Sequence, residues 1–277
     1  MKTTRQALVN VPDETGWRVG GHLPWMHVAV SAQVTVYAIL PGRGYEQSRL
    51  IPGADYDGFL VHDGWAPYYR FVAAFHQSCL RHLLVRCQEM AQIASAAAAA
   101  FPLAVKDLLQ ASLQLRDRYQ EGEISAHGLR TATGRLEAQL DRLLEKSYRD
   151  PANRRLAKHL AHERPFLFTF LYCPGLDATN HEAERAVRWM VIAQSVGREP
   201  DLGRSADSAN PGERTPHVLA AGQGPLSAAY IIAVFTPRYN PGHCPGRGLD
   251  RANSRNELLA DLRSAQRGIA TFLPVKK

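Results

Sequence analysis

Long apolar runs are missing from this chain. No stretch of about 18 consecutive apolar residues occurs, which excludes a conventional membrane-spanning helix. The first fourteen residues, MKTTRQALVNVPDE, lack the apolar core of a secretory signal, so the expectation is a cytoplasmic protein with no membrane partner. Cysteine is scarce: Cys79, Cys87, Cys173 and Cys244 are too few and too scattered for a disulfide framework. Charge names no partner by itself. The net +7 suits a polyanionic ligand, but proteins that never meet nucleic acid are as basic. With 45% apolar residues, 277 residues are enough for one large core or two modest ones.

What is present begins with a β-rich first quarter. Residues 6–11 (QALVNV) read as a first strand that delivers Asp13 at its end. Residues 17–19, 25–31 and 34–40 alternate well enough for a three-stranded antiparallel meander, with Gly20-Gly21 as a turn. Residues 58–62 (GFLVH) read as a buried strand ending at Asp63. From Tyr68 to Glu163 the pattern turns helical, with Leu108, Leu113, Leu115, Leu136, Leu140, Leu143 and Leu144 at helix-like spacings. Pro102, Gly122, Gly128 and Pro151 punctuate that segment.

Three acids sit in settings that give a carboxylate work to do: VPDETGW around Asp13, FLVHDGWAPY around Asp63, and DATNHEAERAVR around Glu184. The first two follow strand-like runs and the third opens a helix. Oxygen ligands drawn from two strands and a helix suit hard Mg²⁺, and a pair of such ions can hold the attacking and leaving oxygens of an in-line displacement. Each acid also has a plainer reading. Asp13 with Glu14 reads equally as an exposed acidic turn, and Asp63 with Gly64 as a D-G turn. On the third segment, Thr179 and Glu182 have the form of a capping box, which occupies Glu182 with structure. Glu184 lies two residues on, about 200° around the helix. On spacing alone, a surface pair with Arg188 is its simpler reading.

A second constellation is His76, Cys79, His82 and Cys87. All four types ligate zinc, but the spacing is not that of a standard finger. On one continuous helix His76, Cys79 and Cys87 point roughly together, while His82 falls about 120° from His76. Buried Cys and His packing is the plainer reading.

These segments resemble the DDE transposases of the bacterial insertion-sequence-66 family. The resemblance runs from about Val9 to about Ala193. It is carried by DETGW and WMHVAVS, the Arg43-Gly44 pair, DGWAPYYRF, HQSCLRHLLVRC and ATNHEAERAVR, in that order. It implies an RNase-H-like mixed sheet, hence an α/β (α+β) chain, interrupted by an all-helical insertion and followed by a poorly structured tail. It implies that the first and fourth strands are neighbours, bringing Asp13 and Asp63 together. The motif of an Asn followed by A-E-R aligns Asn180 and Ala183-Glu184-Arg185, and it makes Glu184 the third catalytic acid. The implied cofactor is two Mg²⁺ (or Mn²⁺) ions on Asp13, Asp63 and Glu184. The implied partners are DNA, as transposon ends and target, and further copies of the chain assembled on it. Arg185 and Arg188 either meet phosphates or pair with acids of their own helix. A non-catalytic remnant that binds DNA or an intact transposase is the alternative function.

The expected organisation is a first half of the catalytic domain over 1–75, a helical insertion over 76–165, the remainder of the domain over 166–193, and a tail over 194–277. Two departures from the family accompany it. The chain starts almost at the first catalytic strand, so it reads as N-terminally truncated. After Ala193 the resemblance stops, and the tail holds 17 Gly and Pro in 84 residues against 21 in the preceding 193. Back-translated and read one base later, residues 194–205 become compatible with the family's K-V-W-G-G-N-R-T-W-A-G-A. The same offset permits I-L-A-S-V-L-R-T-C from Asn210 and R-Q-G-K-D-P near Gly222. The tail therefore reads as out of frame, which removes the family's lysine and last helix and makes this chain an inactive or poorly folded relic. The alternative is a divergent domain with a strand at 228–235 and a helix at 256–265.

Overall fold

The computed structural model of the chain describes residues 2–18, 23–195 and 230–234. It divides into two compact units, one drawn from Met1–His76 with Thr179–Asn240, the other from Gln77–Ala178. The expected mixed α/β class is the one observed.

The first unit carries α1 (Lys2–Arg5), β1 (Val9–Gly16), β2 (Trp25–Val30), β3 (Thr35–Leu40), α2 (Tyr45–Ser48) and β4 (Phe59–His62). A 3-10 turn over Ala66–Arg70 leads to β5 (Phe75–Ser78) at the end of this stretch. The helices α3 (Leu80–Ile93), α4 (Ala96–Gln120), α5 (Ala126–Leu144), α6 (Pro151–Glu163) and α7 (Thr169–Tyr172) follow. The chain then gives α8 (His181–Ser195) and β6 (Tyr230–Val234). The sheet order is β5-β4-β1-β2-β3-β6. β1 runs parallel to β4 and antiparallel to β2, and β2 is antiparallel to β3. β6 pairs antiparallel with β3 and caps that edge. It falls within the strand anticipated at 228–235; the rest of the anticipated tail lies outside the described residues.

Two expectations about the strands are corrected. β1 does not stop near Val11: it continues through Pro12, Asp13 and Glu14, which are poor strand formers, to Thr15 and Gly16. Pairing decides, because Asp13 is matched with Val28 and Glu14 with His27 on β2. The same strand therefore supplies the first member of the meander, and Trp17 and Arg18 belong to no strand. Val19 and the Gly20-Gly21 turn lie outside the described residues. The second correction is β5, which falls in a stretch read as helical. Its four residues are buried, and three of them are polar.

Two apolar clusters pack under the first unit among the described residues. Ala29, Val34, Val36, Ala38, Leu40 and Ile51 form one cluster. Tyr56, Leu60, Tyr68, Phe71 and Ala74 form another beneath β4. Gly58, just before β4, must be glycine: a Cβ there would lie 2.3 Å from the Tyr56 hydroxyl oxygen and 2.7 Å from the Leu8 carbonyl oxygen.

In the second unit the expected leucine periodicity resolves into helix packing, with Leu108, Leu115 and Leu140 buried and the others half-buried. The backbone N–H of Leu80 donates to Ala178 O at 2.9 Å, tying the start of α3 to the unit's last residue. Arg164 makes two parallel 2.9 Å bonds to Asp141, the planar fork that a guanidinium and a carboxylate share. Gly128 does not separate helices. It lies in the first turn of α5, where its N–H is capped by Ser125 Oγ at 3.1 Å. Pro102 does not break its helix either, because α4 runs through it.

A proline at that position leaves the carbonyl four residues back, that of Ala98, without its helical donor. Asn153 supplies the replacement, its Nδ2 donating to Ala98 O at 2.8 Å from a buried position on α6. Asn153→Ala should therefore cost about 1–2 kcal/mol in urea unfolding. In a Pro102→Ala background, where the backbone N–H is restored, the cost should shrink. An undiminished cost in that background contradicts the assignment.

Candidate active site

Asp13 and Asp63 meet because of strand register. Val9 pairs with Phe59 and Asn10 with Leu60, and the same offset continued along both strands sets Asp13 level with Asp63. Asp63 stands one residue beyond β4. Its Oδ1 accepts the Trp65 N–H at 2.9 Å, and Gly64 has a φ of 89°, a region that favours glycine. The plain D-G turn is thus formed, and it fixes where the Asp63 carboxylate stands.

That turn rests on a buried histidine pair. The Gly64 N–H donates to His62 Nδ1 at 3.1 Å, so the His62 proton sits on Nε2 and is donated to His76 Nδ1 at 3.0 Å. His76 Nε2 in turn donates to Phe71 O at 3.1 Å. Burial holds both rings neutral: His62 is pushed well below the usual histidine range and His76 to about 4. His76 therefore commits both ring nitrogens inside the first unit. The four-residue zinc constellation also lacks its helix, since β5 ends at Ser78 and α3 starts at Leu80. Cys87 is buried on α3, and burial pushes its thiol up to about 11, away from the thiolate a metal takes.

Glu184 comes from the first turn of α8, which packs on β1 and β2. The Tyr37 hydroxyl donates to Ala186 O at 3.4 Å across that packing. The helix begins one residue later than the capping box requires: the Asn180 carbonyl accepts the N–H groups of Ala183 and Glu184 at 3.0 and 3.2 Å. Glu182 is consequently not at the position that reaches back to Thr179. It pairs with Arg185 at 2.7 Å. Arg185 and Arg188 are both exposed.

Asp13 feels the other two acids. Burial pushes the Asp13 carboxyl up to about 6, with the charges of Asp63 and Glu184 adding to it and the Glu14 N–H opposing. The sequence reading missed a fourth acid. Glu14 is half-buried, not part of an exposed turn, and burial pushes it up to about 7 against the hydrogen bond from Tyr68. Asp63 and Asp13 raise it further, and Arg43 lowers it. The missed signal was the strand itself: once β1 extends past Val11, Glu14 cannot sit in a loop.

Against known proteins, a family model described as Transposase IS66 family matches residues 2–198. The chain belongs to the IS66 transposase family. The match covers β1 through α8, hence all three acids. No curated protein and no solved structure matches. A transposase of this family has DNA as its substrate, and among the described residues no helix is long and apolar enough to cross a membrane.

The raised carboxyls of this IS66 transposase have a consequence for stability. The folded protein holds the Asp13 proton to higher pH than the unfolded chain, whose carboxyl has the ordinary value of 3.8. Metal-free protein should therefore lose stability as pH rises from about 4 to about 6, with Glu14 extending the loss toward about 7. Thermal unfolding in chelator should show Asp13→Asn more stable than wild type at pH 7 and equal to it near pH 4. A difference that does not vary with pH contradicts this.

Proposed function

We propose that Asp13, Asp63 and Glu184 are the acid triad of a DDE-type transposase, which cuts a DNA strand and joins its 3′ end to target DNA. One observation supports the reading: the charges of Asp63, just past β4, and of Glu184, in the first turn of α8, both reach the Asp13 carboxyl on β1 within one unit. Asp63 and Glu184 are separated in sequence by the whole helical unit. The sheet supports it too, with a central β1 parallel to β4 and antiparallel to a β2–β3 hairpin, the arrangement expected of an RNase-H-like core. Gln77–Ala178 is then an insertion whose tied ends let it interrupt the catalytic sequence.

The donor set fits a hard dication. It is all carboxylate oxygen, and a cation among these acids relieves both the burial penalty and the repulsion that hold Asp13 at about 6. Two Mg²⁺ or Mn²⁺ ions, held by Asp13, Asp63 and Glu184, supply Lewis-acid stabilisation of the phosphoryl oxygens when bound. The chain itself supplies position. Strand pairing fixes Asp13, the Gly64 turn fixes Asp63, and helix packing fixes Glu184. The chemistry is two displacements. Water attacks the phosphorus at a transposon end, forming one P–O bond as the bond to the 3′ oxygen breaks and a 3′-hydroxyl leaves. That hydroxyl then attacks a target phosphodiester, one P–O bond forming as another breaks. Arg185 and Arg188, exposed on α8, meet backbone phosphates, and the chain acts as a homo-oligomer assembled on DNA.

Asp13→Ala, Asp63→Ala and Glu184→Ala should each reduce Mg²⁺-dependent cleavage and joining of a transposon-bearing plasmid to background, while circular dichroism stays that of wild type. Joining retained by Glu184→Ala removes that residue from the triad. Wild-type protein that binds DNA without any Mg²⁺-dependent cleavage supports the non-catalytic remnant instead.

A further inference from the structure

Arg43 is held in an unusual way. Its guanidinium carbon lies 4.5 Å from the Trp25 ring centroid and 4.1 Å from that of Trp65, so the cation is in contact with two indole faces. Trp65 Nε1 also donates to Arg43 O at 3.2 Å, fixing the backbone on which the side chain stands. The clamp is built beside two of the acid-bearing segments. Trp25 opens β2 opposite Gly16 of β1, and Trp65 is bonded through its own N–H to Asp63.

Other arginines pair with carboxylates: Arg49 with Glu46, Arg116 with Asp117, Arg118 with Glu123, Arg164 with Asp141 and Arg185 with Glu182. Arg43 does not. It is exposed, and among the described residues its N–H groups have no acceptor. Its charge acts on Glu14, whose carboxylate takes the Tyr68 hydroxyl. Aromatic faces hold a guanidinium without using its in-plane donors, so the fork remains available to an anion. A planar fork of N–H donors matches the two unesterified oxygens of a phosphodiester.

We propose that Arg43, clamped between Trp25 and Trp65, is a phosphodiester-binding residue that seats the DNA backbone beside the Asp13–Asp63–Glu184 cluster. The placement rests on reading that cluster as the active site; the binding itself does not. The test is fluorescence anisotropy with a short fluorescein-labelled duplex of arbitrary sequence, in chelator, across a series of KCl concentrations. Arg43→Ala should weaken binding about tenfold at low salt, as expected for one lost charge-assisted contact. It should also lower the slope of log affinity against log salt by about one, the signature of one phosphate no longer neutralised. Arg43→Lys should keep the slope and recover part of the affinity, because it keeps the charge and loses the fork. If Arg43→Ala matches wild type in affinity and slope and only its melting temperature falls, the clamp is packing and the proposal is overturned. The same result for a folded Arg43→Lys alongside an unfolded Arg43→Ala also overturns it. Cleavage that survives Asp13→Ala, together with a reduced salt slope in Arg43→Ala, leaves the phosphate site standing and removes the triad.

Discussion

The parallel pairing of β1 with β4 is the constraint on which the candidate site depends. It is short, with two matched residue pairs, yet its offset decides which side chains of the two strands stand level. A slip of one residue would turn one strand's side chains to the opposite face from the other's and separate Asp13 from Asp63. Several features hold the register in place. The Tyr56 hydroxyl lies within 3.2 Å of the carbonyl oxygens of Ala7, Leu8 and Phe59, bridging the start of both strands. Gly58 has no Cβ where one would collide with that hydroxyl. The histidine pair beneath Asp63 then orients the turn that follows β4.

A sheet that gathers acids this way works against itself electrostatically. Asp13 and Glu14 lose hydration and face other carboxylates, and both hold protons more tightly than free acids do. Such perturbation concentrates at functional sites because the fold tolerates it only where something else compensates. On the proposed function, a dication held by the acids would be one compensation. The Tyr68 hydroxyl and the charge of Arg43 are another, and they act on Glu14.

Legibility in the sequence followed from how local each signal was. β4 was readable because Phe59, Leu60 and Val61 are consecutive apolar residues bounded by Gly58 and Asp63-Gly64, and β2 and β3 because their apolar residues continue long enough to reveal a strand. β5 was hidden by its own side chains. His76, Gln77 and Ser78 look like exposed polar residues until their partners appear: His62 for the first, Leu167 and Phe170 for the second, Glu163 for the third. Those partners are up to 93 residues away, beyond any local pattern. β1 was cut short for the same kind of reason, since the residues that extend it are held by β2 and not by propensity. The capping box failed by a single residue at α8, where the Asn180 carbonyl starts the helix. Pro102 misled because its compensating donor lies on another helix. The family words placed Asp13, Asp63 and Glu184 in one set; no spacing within the chain would have joined them across the helical unit.

The most direct test of this account counts manganese. Electron paramagnetic resonance of free Mn²⁺, titrated with the purified chain, reports how much ion the protein takes up and which side chains hold it. One shared site made by β1, β4 and α8 predicts that Asp13→Asn, Asp63→Asn and Glu184→Gln each weaken Mn²⁺ uptake substantially, with circular dichroism unchanged. If Glu184→Gln binds Mn²⁺ as wild type does while the two Asp variants lose it, the helix does not complete the site and the three-acid account is wrong.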